Sequence, residues 1–269
     1  MKFNVKSLVA ASIIATAGLA QAGTITALPG ETHQGLTLVG GNAVLSFSSS
    51  LVTALNVGKV VFTSVAPAAV NEVYTAQPPF GSVRTGVTAN APLSFMTVDD
   101  TTGDVLAAGS RGGATLTIAP LAGVSTGGSI TVANLSVDLT QKRVYADLTG
   151  NFSGVSGASA TTLQNFYLWD FASLTGPTNV QVGAGSYTNV ISGLKITQAG
   201  LNNFASALGL IDLGLSTIKG VSDYGSITST IVAQGTLVMP SVPEPGTWAM
   251  MGLGFAGMAL AARRRRRAD

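Results

Sequence analysis

The chain of 269 residues has no cysteine, one histidine and few charged side chains. The absence of cysteine excludes disulfides and a thiol nucleophile, and a zinc site would need several His or Cys ligands. His33 is the one possible base of a Ser-His-Asp triad, and the polar stretch 31–34 around it predicts a solvated loop. We therefore expect no catalytic constellation, no metal site and no cofactor.

Charge of either sign is scarce, since Asp, Glu, Lys and Arg together make up 10% of the chain. The formal net charge of +2 comes from the two ends. Between residues 23 and 241 there are seven basic and ten acidic side chains, and seven minus ten leaves −3. A nucleic-acid partner needs a basic surface that neutralises phosphates, so we expect none.

Gly, Ser, Thr, Val, Ala and Leu dominate the segment from residue 23 to residue 240. Short strands separated by glycine-rich and proline-containing turns predict a mainly β, antiparallel sandwich or barrel-like body. The expected strands are 37–39, 43–47, 59–65, 94–98, 105–107, 114–119, 165–171, 186–191, 194–197 and 226–238. Turns are expected at 40–42, 78–79, 99–103, 112–113, 127–128 and 176–177.

The strongest local pattern lies at residues 129–150, where apolar and polar residues alternate on both sides of the polar stretch 140–143. This pattern predicts an antiparallel hairpin, and the change of phase near Ala133 and Asn134 predicts a bulge. Residues 199–209 and 210–219 have helical periodicity and predict two short helices. Residues 23–240 are expected to form one exported domain, or two packed halves with a boundary near residue 97.

The amino-terminal end has the pattern of a secretory signal peptide over residues 1–22. Lys2 and Lys6 precede an uncharged run, and the small residues Ala20 and Ala22 flank the expected cut before Gly23. Export is then expected to involve the secretory (Sec) machinery and signal peptidase.

The carboxyl-terminal end, residues 241–269, consists of a proline-containing motif, an apolar run and an arginine cluster. A helix over 248–262 would span roughly 22 Å, a little less than the hydrocarbon core, and Trp248 suits the interface. The run of arginines would keep the carboxyl end in the cytoplasm. These residues are Pro243, Glu244 and Pro245 in the motif, and Arg263, Arg264, Arg265, Arg266 and Arg267 in the cluster.

This three-part tail resembles the PEP-CTERM sorting signal of Gram-negative bacteria. The resemblance implies that exosortase recognises Pro243, Glu244 and Pro245. The protein would then be held transiently in the inner membrane, cut, and released to the cell surface or matrix. It also implies association with exopolysaccharide and biofilm. The alternative interpretation of the tail is a proline-containing linker in a permanently anchored protein. The resemblance covers about a tenth of the chain and says nothing about the chemistry of the rest.

Two groups of residues are candidates for chemistry. Asp99, Asp100 and Asp104 could form a calcium site or a glycosidase pair, although the surrounding Thr and Gly residues favour a hairpin turn. In the aromatic segment 166–171, strand alternation would put Tyr167, Trp169 and Phe171 on one face. That face is either a sugar-stacking platform centred on Trp169 or part of the core.

We expect a non-enzymatic structural or adhesive component of the extracellular matrix. The alternative is a carbohydrate-binding module or surface glycosidase that uses Asp99, Asp100, Asp104 or Trp169.

Overall fold

Regular alternation of small apolar and polar residues forms most of the strands, and the hairpin near residue 144 illustrates how. Val144, Ala146 and Leu148 are fully buried. Arg143, which precedes Val144, and Tyr145, which follows it, are in contact with solvent. This period of two gives each strand one buried face and one solvated face. The computed structural model describes residues 23–33, 35–79, 81–152, 161–180 and 184–235.

Fifteen strands and three helices lie within these residues, and every strand pair is antiparallel. The strands are β1 (Thr24–Ala27), β2 (Thr32–His33), β3 (Leu36–Phe47), β4 (Val61–Val65), β5 (Ala69–Ala76), β6 (Ser82–Asp99), β7 (Val105–Ser110), β8 (Gly113–Ile118), β9 (Gly128–Asp138), β10 (Arg143–Gly150), β11 (Thr162–Asp170), β12 (Ser173–Thr175), β13 (Gly185–Ser192), β14 (Lys195–Ile196) and β15 (Gly225–Gly235). The helices are α1 (Ser49–Val57), α2 (Gln198–Ala207) and α3 (Asp212–Lys219).

The strands form one continuous open sheet in the order β12-β13-β15-β3-β6-β7-β9-β10-β11-β14, with shorter strands added at its sides. The long strand β6 belongs to both halves of this sheet: it pairs with β5 and β3 up to Pro92, and with β1 and β7 from Leu93 onward. Side chains of the two halves line the same interior spaces, so the halves pack face to face as a sandwich. The predicted mainly β, antiparallel architecture with short helices is confirmed.

Residues Thr24–Val238 form one compact unit. Residue 97 lies inside β6, the strand that the two layers share. The core between the layers holds Leu45 and Ile227 from one half and Ile130, Leu148 and Leu168 from the other.

The predicted hairpin is confirmed as β9 and β10, with its bulge at Asn134, whose φ is +52°. Asn134 stands where one edge of β9 passes from pairing with β8 to pairing with β7. Its backbone N–H donates to the carbonyl of Gly112, and its Oδ1 accepts from the N–H of Gly112. The bulge therefore connects β9 to Gly112, a residue between β7 and β8, at the point where neither of those two strands pairs with β9.

Several local expectations are corrected. Residues 40–42 are not a turn but the middle of β3, where Gly41 lets the backbone approach β15. Helix α1 was not expected, although Ser48 accepts from the N–H of Leu51 as its N-cap and Gly58 closes its end. His33 lies in the short strand β2 rather than in a loop, with 40% of its side chain exposed. The helices predicted at 199–209 and 210–219 are confirmed as α2 and α3.

Candidate functional site

The predicted acidic cluster forms the turn between β6 and β7. The Asp99 carboxylate accepts from the backbone N–H groups of Thr101 and Thr102, both at 2.8 Å. The hydrogen bond from Thr102, and then that from Thr101, hold the pKa of Asp99 below its ordinary value. A glycosidase acid needs a raised pKa, so Asp99 is suited to fixing the turn and not to donating a proton.

The other carboxylates of this turn have local partners as well. Asp104 accepts from the hydroxyl of Thr102 at 2.9 Å and from the side-chain amide of Asn179 at 2.8 Å. Asp100 accepts from the hydroxyl of Thr101 at 3.0 Å. Among the residues that the structure describes, no three His, Cys, Asp or Glu side chains are grouped as metal ligands. The structure favours the hairpin-turn interpretation of Asp99, Asp100 and Asp104.

Trp169 lies inside the sandwich with 5% of its surface exposed. Val144 of β10 pairs with Trp169 while the next residue, Tyr145, pairs with Tyr167, so Leu168 is an extra residue on β11. This bulge buries both Leu168 and Trp169 and breaks the simple alternation expected from the sequence. A sugar ring in solution cannot stack on Trp169, so the structure favours its interpretation as a core residue.

The same bulge leaves Tyr167 on the outer surface beside Tyr145. We call Arg143, Tyr145, Tyr167, Asp170 and Lys195, which lie on β10, β11 and β14, the outer tyrosine face. The two ring centroids are 5.6 Å apart with the planes inclined by 42°, and the Arg143 guanidinium lies 4.7 Å from the Tyr167 centroid. Both tyrosines are half-buried, while Asp170 and Lys195 are exposed and occupy paired positions on β11 and β14.

Polar contacts fix the side chains of the outer tyrosine face. The Tyr167 hydroxyl donates to the Asp170 carboxylate, and Arg143 donates to the Gln141 side chain at 2.8 Å. Burial, and then the hydrogen bond to Asp170, raise the pKa of Tyr167, so its hydroxyl stays protonated as a donor. A hydrogen bond with the side chain of Tyr145 raises the pKa of Arg143. The face thus presents two tyrosine rings next to the charged groups of Arg143 and Asp170.

A second polar cluster connects β5 and β6 to α1 and β4. Arg84, with 7% of its surface exposed, donates to Asn56 Oδ1 at 2.9 Å, to the Val60 carbonyl at 2.8 Å and to Glu72 at 2.9 Å. Its guanidinium also lies 5.0 Å from the centre of the Phe62 ring. These hydrogen bonds join Arg84 to Asn56, Val60 and Glu72 inside the protein, so the cluster is suited to a structural role.

Within the part of the chain that the structure describes, two neighbouring cavities between the layers stand out. The larger, of about 90 Å³, is lined by strands of both halves and by the three helices, and Trp169 and Tyr224 are among its lining residues. The smaller, of about 40 Å³, shares Ala43, Ser110, Leu135 and Ile227 with it, so the two are neighbours.

The sequence patterns did not predict the outer tyrosine face or the two cavities. The alternation of β10 could have shown that Arg143 and Tyr145 point outward together. The position of Tyr167 depends on the bulge at Leu168, which the local sequence does not reveal.

The predicted signal peptide and sorting segment lie outside the described residues. Within the described ranges, no helix combines the length and the hydropathy that crossing a bilayer would require. The residues outside are Ala20, Ala22, Pro243, Glu244, Pro245, Trp248, Arg263, Arg264, Arg265, Arg266 and Arg267.

Comparison with known proteins adds the meaning of the carboxyl-terminal segment. The described residues form an antiparallel β sandwich. The family model for the PEP-CTERM protein-sorting motif matches residues 241–266, so this chain carries the PEP-CTERM motif, which indicates an extracellular protein sorted by exosortase. No curated protein matches the chain.

Among solved structures, the chain is similar to the C-terminal domain of HtaA from Corynebacterium glutamicum. The identity is 13% and the TM-score 0.41, over 72% of this chain and 99% of the other. A similarity this distant transfers no function.

Proposed function

We propose that this exosortase-sorted protein is a non-enzymatic component of the extracellular matrix that contacts exopolysaccharide through the outer tyrosine face. The observation that carries the proposal is the outward pairing of Tyr145 and Tyr167 beside Arg143 on a protein with an extracellular sorting motif.

The chemistry of the face suits a sugar chain. A pyranose ring has an apolar surface of C–H groups that packs on an aromatic ring, and its edge carries hydroxyl groups. Tyr145 and Tyr167 supply the rings, while Arg143, Asp170 and Lys195 supply donors and acceptors around them. Exposed charged groups of both signs also allow contact with neutral as well as acidic sugars.

The acidic turn offers weak support for an enzyme. The carboxylates of Asp99, Asp100 and Asp104 are engaged with neighbouring hydroxyl and amide groups, and the lowered pKa of Asp99 favours its ionised form. The non-enzymatic role predicts that the protein releases no reducing sugar from dextran or alginate. If the protein does release reducing sugar, and the double variant Asp99→Asn, Asp104→Asn does not, the glycosidase alternative would be favoured.

Polysaccharide contact is tested by affinity electrophoresis of the full chain in gels that contain dextran or alginate. We expect the unchanged protein to be retarded and the double variant Tyr145→Ala, Tyr167→Ala to lose most of that retardation. Tyr74→Ala is the matched control, because Tyr74 is a 57% exposed tyrosine on the distant strand β5. Equal retardation of all three proteins would refute the role of the face.

The sorting route is tested separately. We propose export by the signal peptide 1–22, transient anchoring through 248–262 with the carboxyl end in the cytoplasm, and cleavage near Pro243–Pro245. Mass spectrometry of surface-localised protein should find a carboxyl terminus that lacks the arginine run. An intact run from Arg263 to Arg267 on that protein would instead support the permanently anchored alternative.

A further inference from the structure

The larger interior cavity has walls made of unusually small residues. Ten of its twenty-eight lining residues are Ala or Gly. The six alanines come from β3, α1, the segment before β5, β6 and β8, and they are Ala43, Ala54, Ala68, Ala89, Ala91 and Ala114. Protein interiors normally pack as densely as organic crystals, and a chain that needed only a core would fill this space with larger side chains.

The cavity wall is almost entirely apolar. Ser110, Trp169 and Tyr224 are the three lining residues whose side chains carry a polar atom. The Tyr224 hydroxyl donates to the Ile218 carbonyl at 3.3 Å, so it has an internal partner. Apolar cavities of this kind exclude water and accept small apolar molecules.

Trp169 supplies the one specific polar feature. Its indole Nε1 is fully buried and has no acceptor among the described residues. A buried N–H without an acceptor is unfavourable by the free energy of its desolvation, and such groups in folded proteins are rare. A bound molecule with an oxygen acceptor at this point would remove that penalty.

We propose that this cavity binds a small apolar molecule with a single carbonyl oxygen, a short ketone, aldehyde or ester, which accepts the Trp169 indole N–H. The apolar wall selects the hydrocarbon part, and the volume of about 90 Å³ limits it to roughly one small ring or a short chain. This site is internal and independent of the outer tyrosine face, so it stands or fails separately from polysaccharide contact.

The chain offers a direct reporter, because it has two tryptophans, Trp169 and Trp248. In the full chain with Trp248→Phe, the indole N–H resonance in a ¹⁵N–¹H spectrum belongs to Trp169 alone. The probes are cyclopentanone and cyclopentane, which are similar in size and differ in the carbonyl. We expect cyclopentanone to shift this resonance downfield to saturation, and cyclopentane to leave it nearly unmoved.

A cavity-filling variant tests the location. Ala114→Leu places a larger side chain in the cavity, because Ala114 on β8 is buried and lines it. We expect the affinity for cyclopentanone to fall by about tenfold or more. Ala146→Val is the control, since Ala146 is also buried in the core but does not line this cavity, and this variant should bind cyclopentanone within about twofold of the unchanged chain.

Ala91→Val is the second filling variant and replaces Ala114→Leu if that protein does not fold. The proposal is overturned if cyclopentanone gives no saturable shift, or if the filled and unfilled proteins bind it equally. An equal response to cyclopentane and cyclopentanone would overturn the hydrogen bond to Trp169, and with it the carbonyl class of ligand.

Discussion

The buried arginine Arg84 gives a sharp test of the packing between β5, β6 and α1. Its guanidinium makes three hydrogen bonds, to Asn56, Val60 and Glu72, and stacks on Phe62. The change Arg84→Ala removes all of these contacts. It leaves the Asn56 amide oxygen and the Val60 carbonyl without this donor, and the Glu72 carboxylate keeps the hydrogen bond from the Tyr74 hydroxyl but loses its ion pair. We expect a large loss of stability.

The magnitude follows from burial. Breaking a buried ion pair by removing one partner costs about 3–5 kcal/mol, and each hydrogen bond to a charged group contributes about 1.5–3 kcal/mol. The side chain of Glu72 is 23% exposed, so water can partly replace its lost partner. We therefore expect the free energy of unfolding to fall by about 3 kcal/mol, at the lower end of that range.

Urea unfolding followed by circular dichroism measures this change, and Arg143→Ala is the matched control. Arg143 also stacks on an aromatic ring, but it lies on the outer surface, so we expect a much smaller loss of stability than for Arg84→Ala. The double change Arg84→Met, Glu72→Leu should cost less than Arg84→Ala alone, because it leaves no unpaired charge. If both arginine-to-alanine variants lost the same stability, the structural role of the Arg84 cluster would be refuted.

Three further perturbations test the strand geometry. Gly41→Ala should destabilise the protein by at least about 2 kcal/mol more than Gly40→Ala in the same urea experiment. Both glycines have φ near +154°, but a Cβ on Gly41 would lie 2.1 Å from a carbonyl of β15, whereas one on Gly40 would lie in open space; equal losses would contradict this pairing. Asn134→Ala should lose about 1–3 kcal/mol in the urea experiment, and Asn134→Gly less, because glycine keeps the positive φ while losing the side-chain hydrogen bonds. If Asn134→Gly lost as much stability as Asn134→Ala, the positive φ of residue 134 would have no part in the effect. Burial raises the pKa of Asp138, but hydrogen bonds from Thr140 and Gln141 outweigh it and lower the pKa overall. Its contribution is then present at neutral pH and lost as the pH falls through the lowered pKa, so the difference in melting temperature between the unchanged protein and Asp138→Asn should shrink below about pH 4. A difference in melting temperature that did not change with pH would contradict this role of the Asp138 carboxylate.

Local patterns predicted the elements whose cause is local. The β9–β10 hairpin has alternating residues and a polar turn that Asp138 caps, and α2 has Leu201 and Phe204 on its buried face. Helix α1 also carries local signals, a serine cap at Ser48 and Gly58 after its last turn, which the strand-rich surroundings obscured. The two signals of α1 lie within about ten residues of each other, so a local reading of the sequence is enough to find them.

Elements fixed by distant partners could not be predicted in this way. Strand β6 runs for 18 residues through Gly86 and Pro92, because partners on both edges hold it extended. Gly40 and Gly41 are typical turn residues, yet β15, nearly two hundred residues away, pairs with them. The alanines that line the larger cavity are ordinary strand and helix residues in sequence, and only the packing of the two layers brings them to one space.

One irregularity positions both proposed sites. In a regular strand Tyr167 and Trp169 would point to the same side, and either both rings would be outside or both would be inside. The extra residue Leu168 turns Trp169 inward to the cavity while Tyr167 stays beside Tyr145 on the outer surface. Because the sheet separates the two rings, a polysaccharide on the outer tyrosine face and a small molecule in the cavity would not compete for space. The bulge in β11 is therefore what lets a single strand serve two sites.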